Sequence, residues 1–389
     1  MSKFDIPFEY LDWVVSTKKN VDSLDVESIG GLEILHHFMS ACYSKMYPEL
    51  PNSEHFNFSK TVKFHQMWAA FDQEFPSLIN DTIISDSDNV LGKAKEGNPF
   101  IICTYHLGSY RLLNSILISK DIDFCLVTDN QYIKDQGKKT KEIFKSIRNF
   151  YSLFENKDLE ILDAENPLIG LQTIRKLKMG YTLLFYIDGN TGVTSKLSNL
   201  DNFVKINFLN TQYYARKGIA YLSYISGVPI IPVVSLRTNW LERKVIFHSE
   251  IKVDLNVDKE NYCNKTTQKL YDILSDYLKK YPEQWESWMY VHKSIKLNEE
   301  KISAQEEKNL LNPDENLLVF NFEEYELMNF GSQFILFEKN NLKIHIISEQ
   351  FYNVLTSFRE PISFSKLNFE NFKVTKKAIL ELIELKILH

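Results

Sequence analysis

The chain has few cysteines, and their spacing excludes several kinds of protein. Only four of the 389 residues are cysteines. They lie far apart and form no CxxC pair: Cys42, Cys103, Cys125 and Cys263. This pattern does not support a disulfide framework or a zinc site, so we expect reduced thiols, no bound metal and a cytoplasmic location.

Long apolar runs are absent as well. No uninterrupted stretch approaches the roughly 20 residues that a transmembrane helix needs. The first residues, MSKFDIPFEYLDWVV, lack the basic segment and the apolar core of a signal peptide. We therefore predict no transmembrane segment, with contact at a membrane surface still open.

An excess of positive charge is absent as well. The formal net charge is -6, and basic residues do not cluster beside the aromatic ones. General nucleic-acid binding usually needs a basic face, so this balance predicts no nucleic-acid partner.

The pattern of apolar and polar residues changes along the chain and predicts that the protein has four regions. Residues 1–97 have helical periodicity, 98–295 alternate short apolar β-type runs with helical segments, 296–316 form a polar linker, and 317–389 place strands before helices. The alternation in the second part predicts an α/β fold, a mixed sheet flanked by helices. The last part predicts a small α+β domain of winged-helix type.

Two segments of the second part are predicted as helices. TQYYARKGIAYLSYISG has helical periodicity, and TTQKLYDILSDYLKKYPEQWESWMYVHK is predicted to be the helix that closes the domain.

The stretch FIICTYHLGSYR places His106 at the end of a buried strand, before a turn that contains Gly108 and Ser109. A histidine there can face a cleft and remove a proton from an alcohol or an amine, because its pKa lies near working pH. The alternative from the residues alone is a histidine that only bonds to a nearby carbonyl.

The stretch YIDGNTG places Asp188 at the end of a second apolar strand. The backbone N–H groups of Gly189 and Asn190 could bind an anion or a developing oxyanion, although a plain Asp-Gly turn would have the same sequence. Ligands of α/β sheets lie beyond the carboxyl ends of the strands, so we expect His106 and Asp188 to share a cleft. Arg216, beside Lys217, could present a cation to a phosphate or carboxylate there.

These residues carry a family resemblance. HLGSYR resembles the histidine motif of the lysophospholipid acyltransferase superfamily, and in particular of the lipid A late acyltransferases. Three later stretches are similar to that family's motifs in the same order: IDGNTG, VKINFLNTQYYARKGIAYLSYISGVPIIPV and KYPEQWESWMYVHK. The resemblance covers roughly residues 98–293.

The resemblance implies acyl transfer. His106 would be the general base that activates an acceptor hydroxyl or amine, which attacks an acyl thioester, while backbone amides near Gly189 hold the oxyanion. Acyl-coenzyme A or an acyl carrier protein would be a co-substrate, and no cofactor is bound. The residues expected around the substrate are Gly108, Ser109, Arg111, Gly189, Asn190 and Arg216.

The chain departs from the family at Arg111, where the family has an acid five residues after the histidine. An arginine cannot accept the ring N–H. Three interpretations stay open. In the first, another carboxylate, with Asp188 preferred, orients His106 while Arg111 binds an anionic group. In the second, the reaction has changed, so that His106 acts alone on a more easily deprotonated nucleophile, such as an amine, or on a different bond. In the third, the fold is a binding scaffold without turnover.

The expected acceptor follows from two further features. The family's N-terminal apolar anchor helix has no counterpart in this sequence, which favours a small molecule or a peptide over lipid A. Residues 317–389 resemble the small PqqD-type domains that bind leader peptides. The sequence thus predicts an acyltransferase of specialised metabolism, and its alternative is a silent or chemically diverged scaffold that binds a peptide or carrier protein.

Overall fold

The structure is a computed structural model that describes residues 6–24, 32–153, 157–189, 200–295, 317–329, 333–339, 342–364 and 375–389. The chain divides into two compact units, Met1–Ile295 and Lys296–His389. The helices before residue 97 belong to the same unit as the sheet. The predicted linker, 296–316, lies outside the described residues.

The first unit combines helices with a large sheet. Its described α-helices are α1 Phe8–Asp22, α2 Leu32–Met46, α3 His55–Asp72, α4 Val90–Lys95, α5 Leu112–Ser119, α6 Asn130–Phe150, α7 Ile169–Lys178, α8 Gly218–Ser226 and α9 Lys259–Leu278. Its described strands are β1 Thr82–Ser85, β2 Ile101–Thr104, β3 Phe124–Thr128, β4 Glu160–Asp163, β5 Thr182–Tyr186, β6 Phe203–Phe208, β7 Thr211–Arg216, β8 Ile230–Arg237 and β9 Arg243–Phe247.

Seven of these strands form one mixed sheet in the order β1-β9-β8-β2-β5-β3-β4. All neighbours pair in parallel except β8 and β9, which are antiparallel. Every residue of β2 and of β8 is buried, so both faces of the central strands are covered. The predicted fold class, a mixed sheet flanked by helices, is confirmed.

A continuous apolar core joins the sheet to α5. Ile102, Leu126 and Leu184 from three neighbouring strands pack in one cluster with Leu113 and Ile116 of α5. Burial of each such side chain contributes about 1.5–3 kcal/mol relative to exposure. This packing holds the carboxyl ends of the central strands at a defined position.

Two predicted helices are wrong in part. TQYYAR is strand β7, which pairs antiparallel with β6, and only the residues from Gly218 onward form a helix. The alternation of buried Tyr213 and Ala215 with less buried neighbours is the period of a strand, and the apolar helix that follows obscured it. The closing helix ends at Leu278, and Pro282 begins a series of short 3₁₀ turns that extends to Lys293.

A buried charged cluster connects α1 and α3 to the sheet. The carboxylate of Asp72, at the end of α3, accepts hydrogen bonds from the Tyr10 hydroxyl at 2.5 Å and from the guanidinium of Arg237. The indole of Trp68 donates to the Tyr10 oxygen at 2.6 Å. Both Asp72 and Arg237 are buried, so each charge depends on the other for stabilisation.

In the second unit four strands precede the two described helices, as the sequence predicts, and a further strand of two residues lies between those helices. Its described elements are β10 Leu317–Leu318, β11 Tyr325–Asn329, β12 Phe334–Glu338, β13 Lys343–Ile347, α10 Glu349–Ser357, β14 Ile362–Ser363 and α11 Lys376–Glu384. Strands β11, β12 and β13 form an antiparallel sheet, whose core includes Leu336, Leu355 and Phe358.

The four cysteines are unpaired and buried. None of the described helices has the length and apolarity needed to span a bilayer. The described residues also contain no group of three or more side chains suited to hold a metal ion.

Candidate active site

The pairing register of two central strands brings His106 and Asp188 together. Thr104 of β2 lies opposite Tyr186 of β5 in a parallel pair. His106 and Asp188 each follow two residues later, beyond the carboxyl end of the sheet. The N–H of Ile187 donates to the carbonyl of Thr104 at 3.0 Å, so the register continues past the last strand residues.

A second segment closes this site through backbone contacts. The N–H of Glu286 donates to the carbonyl of His106 at 2.9 Å, and the N–H of Gly108 donates to the carbonyl of Gln284 at 3.0 Å. The 3₁₀ turns that follow Pro282 therefore run alongside the HLGS turn. A continuous α-helix could not form these contacts, because its backbone N–H and C=O groups would be paired internally.

The carboxylate of Asp188 is completely buried and has several donors. The Nδ1 atom of His106 lies 2.8 Å from Oδ1, and the backbone N–H of His106 contacts both oxygens at 3.0–3.1 Å. The indole of Trp285 donates at 2.6 Å, and the hydroxyl of Ser287 donates at 3.1 Å. These donors favour the ionised form and fix the orientation of the carboxylate.

The environment changes the pKa of both partners. Burial alone would lower the pKa of His106, but the charge of Asp188 and its hydrogen bond raise this pKa above its usual value. Burial alone would raise the pKa of Asp188, but the charge of His106 and the hydrogen bonds from His106 and Trp285 lower it overall. The carboxylate thus holds the Nδ1–H tautomer, and Nε2 is the nitrogen that can accept a proton.

The His106 side chain is 21% exposed and lines a cavity of about 540 Å³. This volume is within the range of small-molecule sites, about 300–1,000 Å³. The rings of Tyr110 and Tyr186 both pack against the imidazole, with centroid distances of 4.9 and 4.7 Å, and they lie 5.5 Å from each other. Apolar side chains line much of the remaining wall, among them Leu126, Val127, Ile169, Phe185, Ile219 and Leu222. The cavity can therefore hold an apolar group close to the imidazole of His106.

Arg111 lies on the same cavity wall and does not contact the His106 ring nitrogens in any described hydrogen bond. Its Nε donates to the hydroxyl of Tyr110 at 3.2 Å, and that hydroxyl donates to Oε2 of Glu286 at 2.7 Å. The other oxygen of Glu286 accepts from the amide of Gln66 at 3.1 Å. Asp188 occupies the orienting position beside His106, and Arg111 belongs to a separate polar group that includes Glu286.

The predicted substrate-binding residues fall into three groups. Arg111, Gly189 and Arg216 line the cavity with His106. Gly108 and Ser109 do not lie on its wall; Ser109 is completely buried. Asn190 lies outside the described residues.

Gly108 instead permits a close approach of two segments. Its φ is +58°, and a Cβ atom there would lie 2.6 Å from the Cα of Leu236 and 2.8 Å from the carbonyl oxygen of Ser235. Replacement of Gly108 by Ala is expected to reduce the free energy of unfolding by at least about 2 kcal/mol, because left-handed strain and backbone overlap add together. Urea unfolding measures this loss.

Gly97→Ala is the matched control for this prediction. Gly97 has a φ of +86°, but a Cβ atom added there would meet no heavy atom within 4 Å, so only the strain of about 1–2 kcal/mol applies. Equal losses for the two variants would contradict the role of close approach at Gly108.

Several residues of the site were not predicted as functional. Trp285 and Glu286 lie inside the stretch KYPEQWESWMYVHK, for which the sequence predicts a helix and no individual functional residue. Trp285 is indeed fully buried, and its indole N–H also supports Asp188. A buried tryptophan needs a hydrogen-bond acceptor, and this requirement is the signal that could have linked it to a buried carboxylate.

The site as a whole is a histidine on the wall of a largely apolar cavity at an α/β sheet, bonded to a buried carboxylate. No protein-family model matches the sequence, and no curated protein matches it.

Proposed function

We propose that this protein is an acyltransferase that moves an acyl group from a thioester to an amine or a hydroxyl, with His106 as the general base. The observation that carries the proposal is the 2.8 Å contact between Nδ1 of His106 and the buried carboxylate of Asp188, beside a cavity with an apolar wall. The motif resemblance described above supports the same chemistry.

The proposed reaction begins with proton transfer. Nε2 of His106 takes the proton of the acceptor hydroxyl or amine while the acceptor atom attacks the thioester carbonyl carbon. Asp188 stabilises the imidazolium that forms, because its carboxylate bonds to Nδ1–H. Collapse of the tetrahedral intermediate breaks the carbon–sulfur bond, and the imidazolium returns its proton to the leaving thiolate. Backbone N–H groups near Gly189 are proposed to bind the oxyanion.

The apolar part of the cavity is proposed to hold the acyl group. Removal of an apolar chain from water contributes about 0.8 kcal/mol for each buried CH₂ group, which favours a thioester with an aliphatic acyl chain. The donor is proposed to be acyl-coenzyme A or an acyl carrier protein. The acceptor is proposed to be a small molecule or a peptide of specialised metabolism in the cytoplasm, with the second unit, Lys296–His389, as the part that binds a peptide or carrier partner.

The test is mass spectrometry of the purified protein mixed with a panel of acyl-coenzyme A and acyl-carrier thioesters, with and without simple amines and alcohols. We expect the protein to consume at least one thioester. His106→Ala is expected to reduce that consumption by a factor of at least about 10³, within the range of a general base contribution.

His248→Ala is the matched control. His248 is a partly buried histidine of the same unit that contacts the hydroxyl of Tyr277 at 3.1 Å and does not line the cavity. It is expected to retain the activity. Consumption that survives in a folded His106→Ala protein would overturn the proposal, and no consumption across the panel would favour a binding scaffold without turnover.

A further inference from the structure

Arg216 is a cation on the cavity wall, at the end of β7. It lies opposite Phe203 in the β6–β7 pair, and its guanidinium carbon is 5.9 Å from the centre of the Phe203 ring. The residue is partly buried. Among the described residues, no carboxylate lies within ion-pair distance of the Arg216 side chain.

Lys217, the next residue, does have a carboxylate partner. Nζ of Lys217 lies 2.9 Å from both carboxylate oxygens of Glu260, and Lys217 is not part of the cavity wall. Two adjacent cations thus differ in environment: Lys217 has a carboxylate partner outside the cavity, and Arg216 faces the cavity without one in the part of the chain that the structure describes.

A cation without a carboxylate partner in a partly desolvated position is unfavourable. Burial is the main cause that lowers the pKa of Arg216, and the charge of Glu165 opposes it without direct contact. An anion that enters the cavity would replace the hydration that burial removes from the guanidinium, since a guanidinium forms two parallel hydrogen bonds to a phosphate or carboxylate.

We propose that Arg216 binds an oxyanion of the substrate, a phosphate or a carboxylate, while the reacting end of that substrate lies at His106. This inference rests on the proposed function, because it assumes that a substrate occupies the cavity. The other cavity arginine, Arg111, already uses Nε to bond to Tyr110, so Arg216 is the better candidate for an incoming anion.

The experiment uses two pairs of probes, each with and without the oxyanion: 4′-phosphopantetheine with pantetheine, and octanoate with octanamide. Binding is measured by isothermal titration calorimetry to the full chain and to Arg216→Met, Arg216→Lys and Lys217→Met. The Lys217 variant removes the same charge from the neighbouring position, so it controls for a change in overall charge.

We expect Arg216→Met to weaken binding of the anionic member of one pair by about tenfold or more, the size of a lost charged hydrogen bond. The neutral member and the Lys217→Met protein are expected to stay within about twofold of the original affinity. The pair that responds identifies the source of the oxyanion. Arg216→Lys keeps the charge but cannot form two parallel hydrogen bonds, so its affinity for the anionic probe is expected to lie between those of the original protein and Arg216→Met. If Arg216→Met does not fold, Arg216→Lys tests the inference in its place.

Two results would overturn the inference: equal losses for Arg216→Met and Lys217→Met, or no preference of the original protein for either anionic probe. The thioester assay of the original protein separates this inference from the proposed function. If the original protein consumes no thioester but binds an anionic probe through Arg216, the subsite is retained and the proposed reaction is rejected.

Discussion

Asp188→Asn is expected to lower the rate of thioester consumption by about 10³-fold or more while the protein stays folded. An asparagine can still accept the hydrogen bond from the Trp285 indole, but it carries no charge and presents an NH₂ group that cannot accept from Nδ1–H of His106. The imidazole would then lose both its tautomer and the partner that stabilises its protonated form. Single-turnover kinetics with the best thioester of the panel measures the loss.

The pH dependence of the same variant gives a second readout. Activity of the original protein is expected to rise with pH as His106 loses its proton, with a midpoint above the usual pKa of histidine. In Asp188→Asn this pKa falls, because the carboxylate that raises it is gone, so the acidic limb of kcat/KM moves to lower pH.

Glu286→Gln is the matched comparison. Glu286 also raises the pKa of His106, but its charge contributes less than that of Asp188. Its acidic limb is expected to move in the same direction by a smaller amount. An unchanged acidic limb in Asp188→Asn would contradict the assignment of Asp188 as the partner of the base.

Asp72→Ala is expected to have the largest effect on stability, a loss of about 3–5 kcal/mol in the free energy of unfolding. The substitution removes the carboxylate from the buried guanidinium of Arg237 and from the Tyr10 hydroxyl. Domains are commonly stable by only about 5–15 kcal/mol, so this change would remove a large share of the total. Urea unfolding followed by circular dichroism measures it.

Asp22→Ala is the control for this prediction. Asp22 pairs with Lys18 one turn away on α1, and its side chain is 53% exposed. Exposed pairs on a helix contribute about 0.3–0.5 kcal/mol, so the loss should be small. A further variant, Asp72→Ala with Arg237→Met, is expected to recover part of the stability because the buried guanidinium is removed together with its partner. Similar losses for Asp72→Ala and Asp22→Ala would contradict the importance of the buried pair.

The positions of His106 and Asp188 could be predicted because they depend on local signals. Each follows an apolar run of strand type and precedes a turn with glycine, and parallel strands place such ends at one edge. The two side chains do meet, with Nδ1 of His106 2.8 Å from Oδ1 of Asp188, but only His106 lines the cavity and the Asp188 side chain is completely buried. The residues that support Asp188, Trp285 and Ser287, depend instead on a contact between segments almost 100 positions apart.

The role of Arg111 likewise could not be predicted from the sequence alone. The sequence reveals that an arginine stands where the resembling family has an acid, and it leaves three interpretations open. The structure places the Arg111 guanidinium against the Tyr110 hydroxyl and places Asp188 against the imidazole. Side-chain direction after a turn depends on packing, which short-range sequence patterns do not contain.

By itself, the sequence determined the fold class, the two strands that precede His106 and Asp188, and the four strands that begin the described part of the second unit, because hydrophobic periodicity and turn residues are local properties. Tertiary structure alone decided that β6 and β7 form a hairpin, that the chain after Leu278 leaves the helix to contact the HLGS turn, and that Arg216 faces the cavity while Lys217 pairs with Glu260. The physical reason is that strand pairing, burial of charge and hydrogen bonding between distant segments depend on partners that only the folded chain brings together.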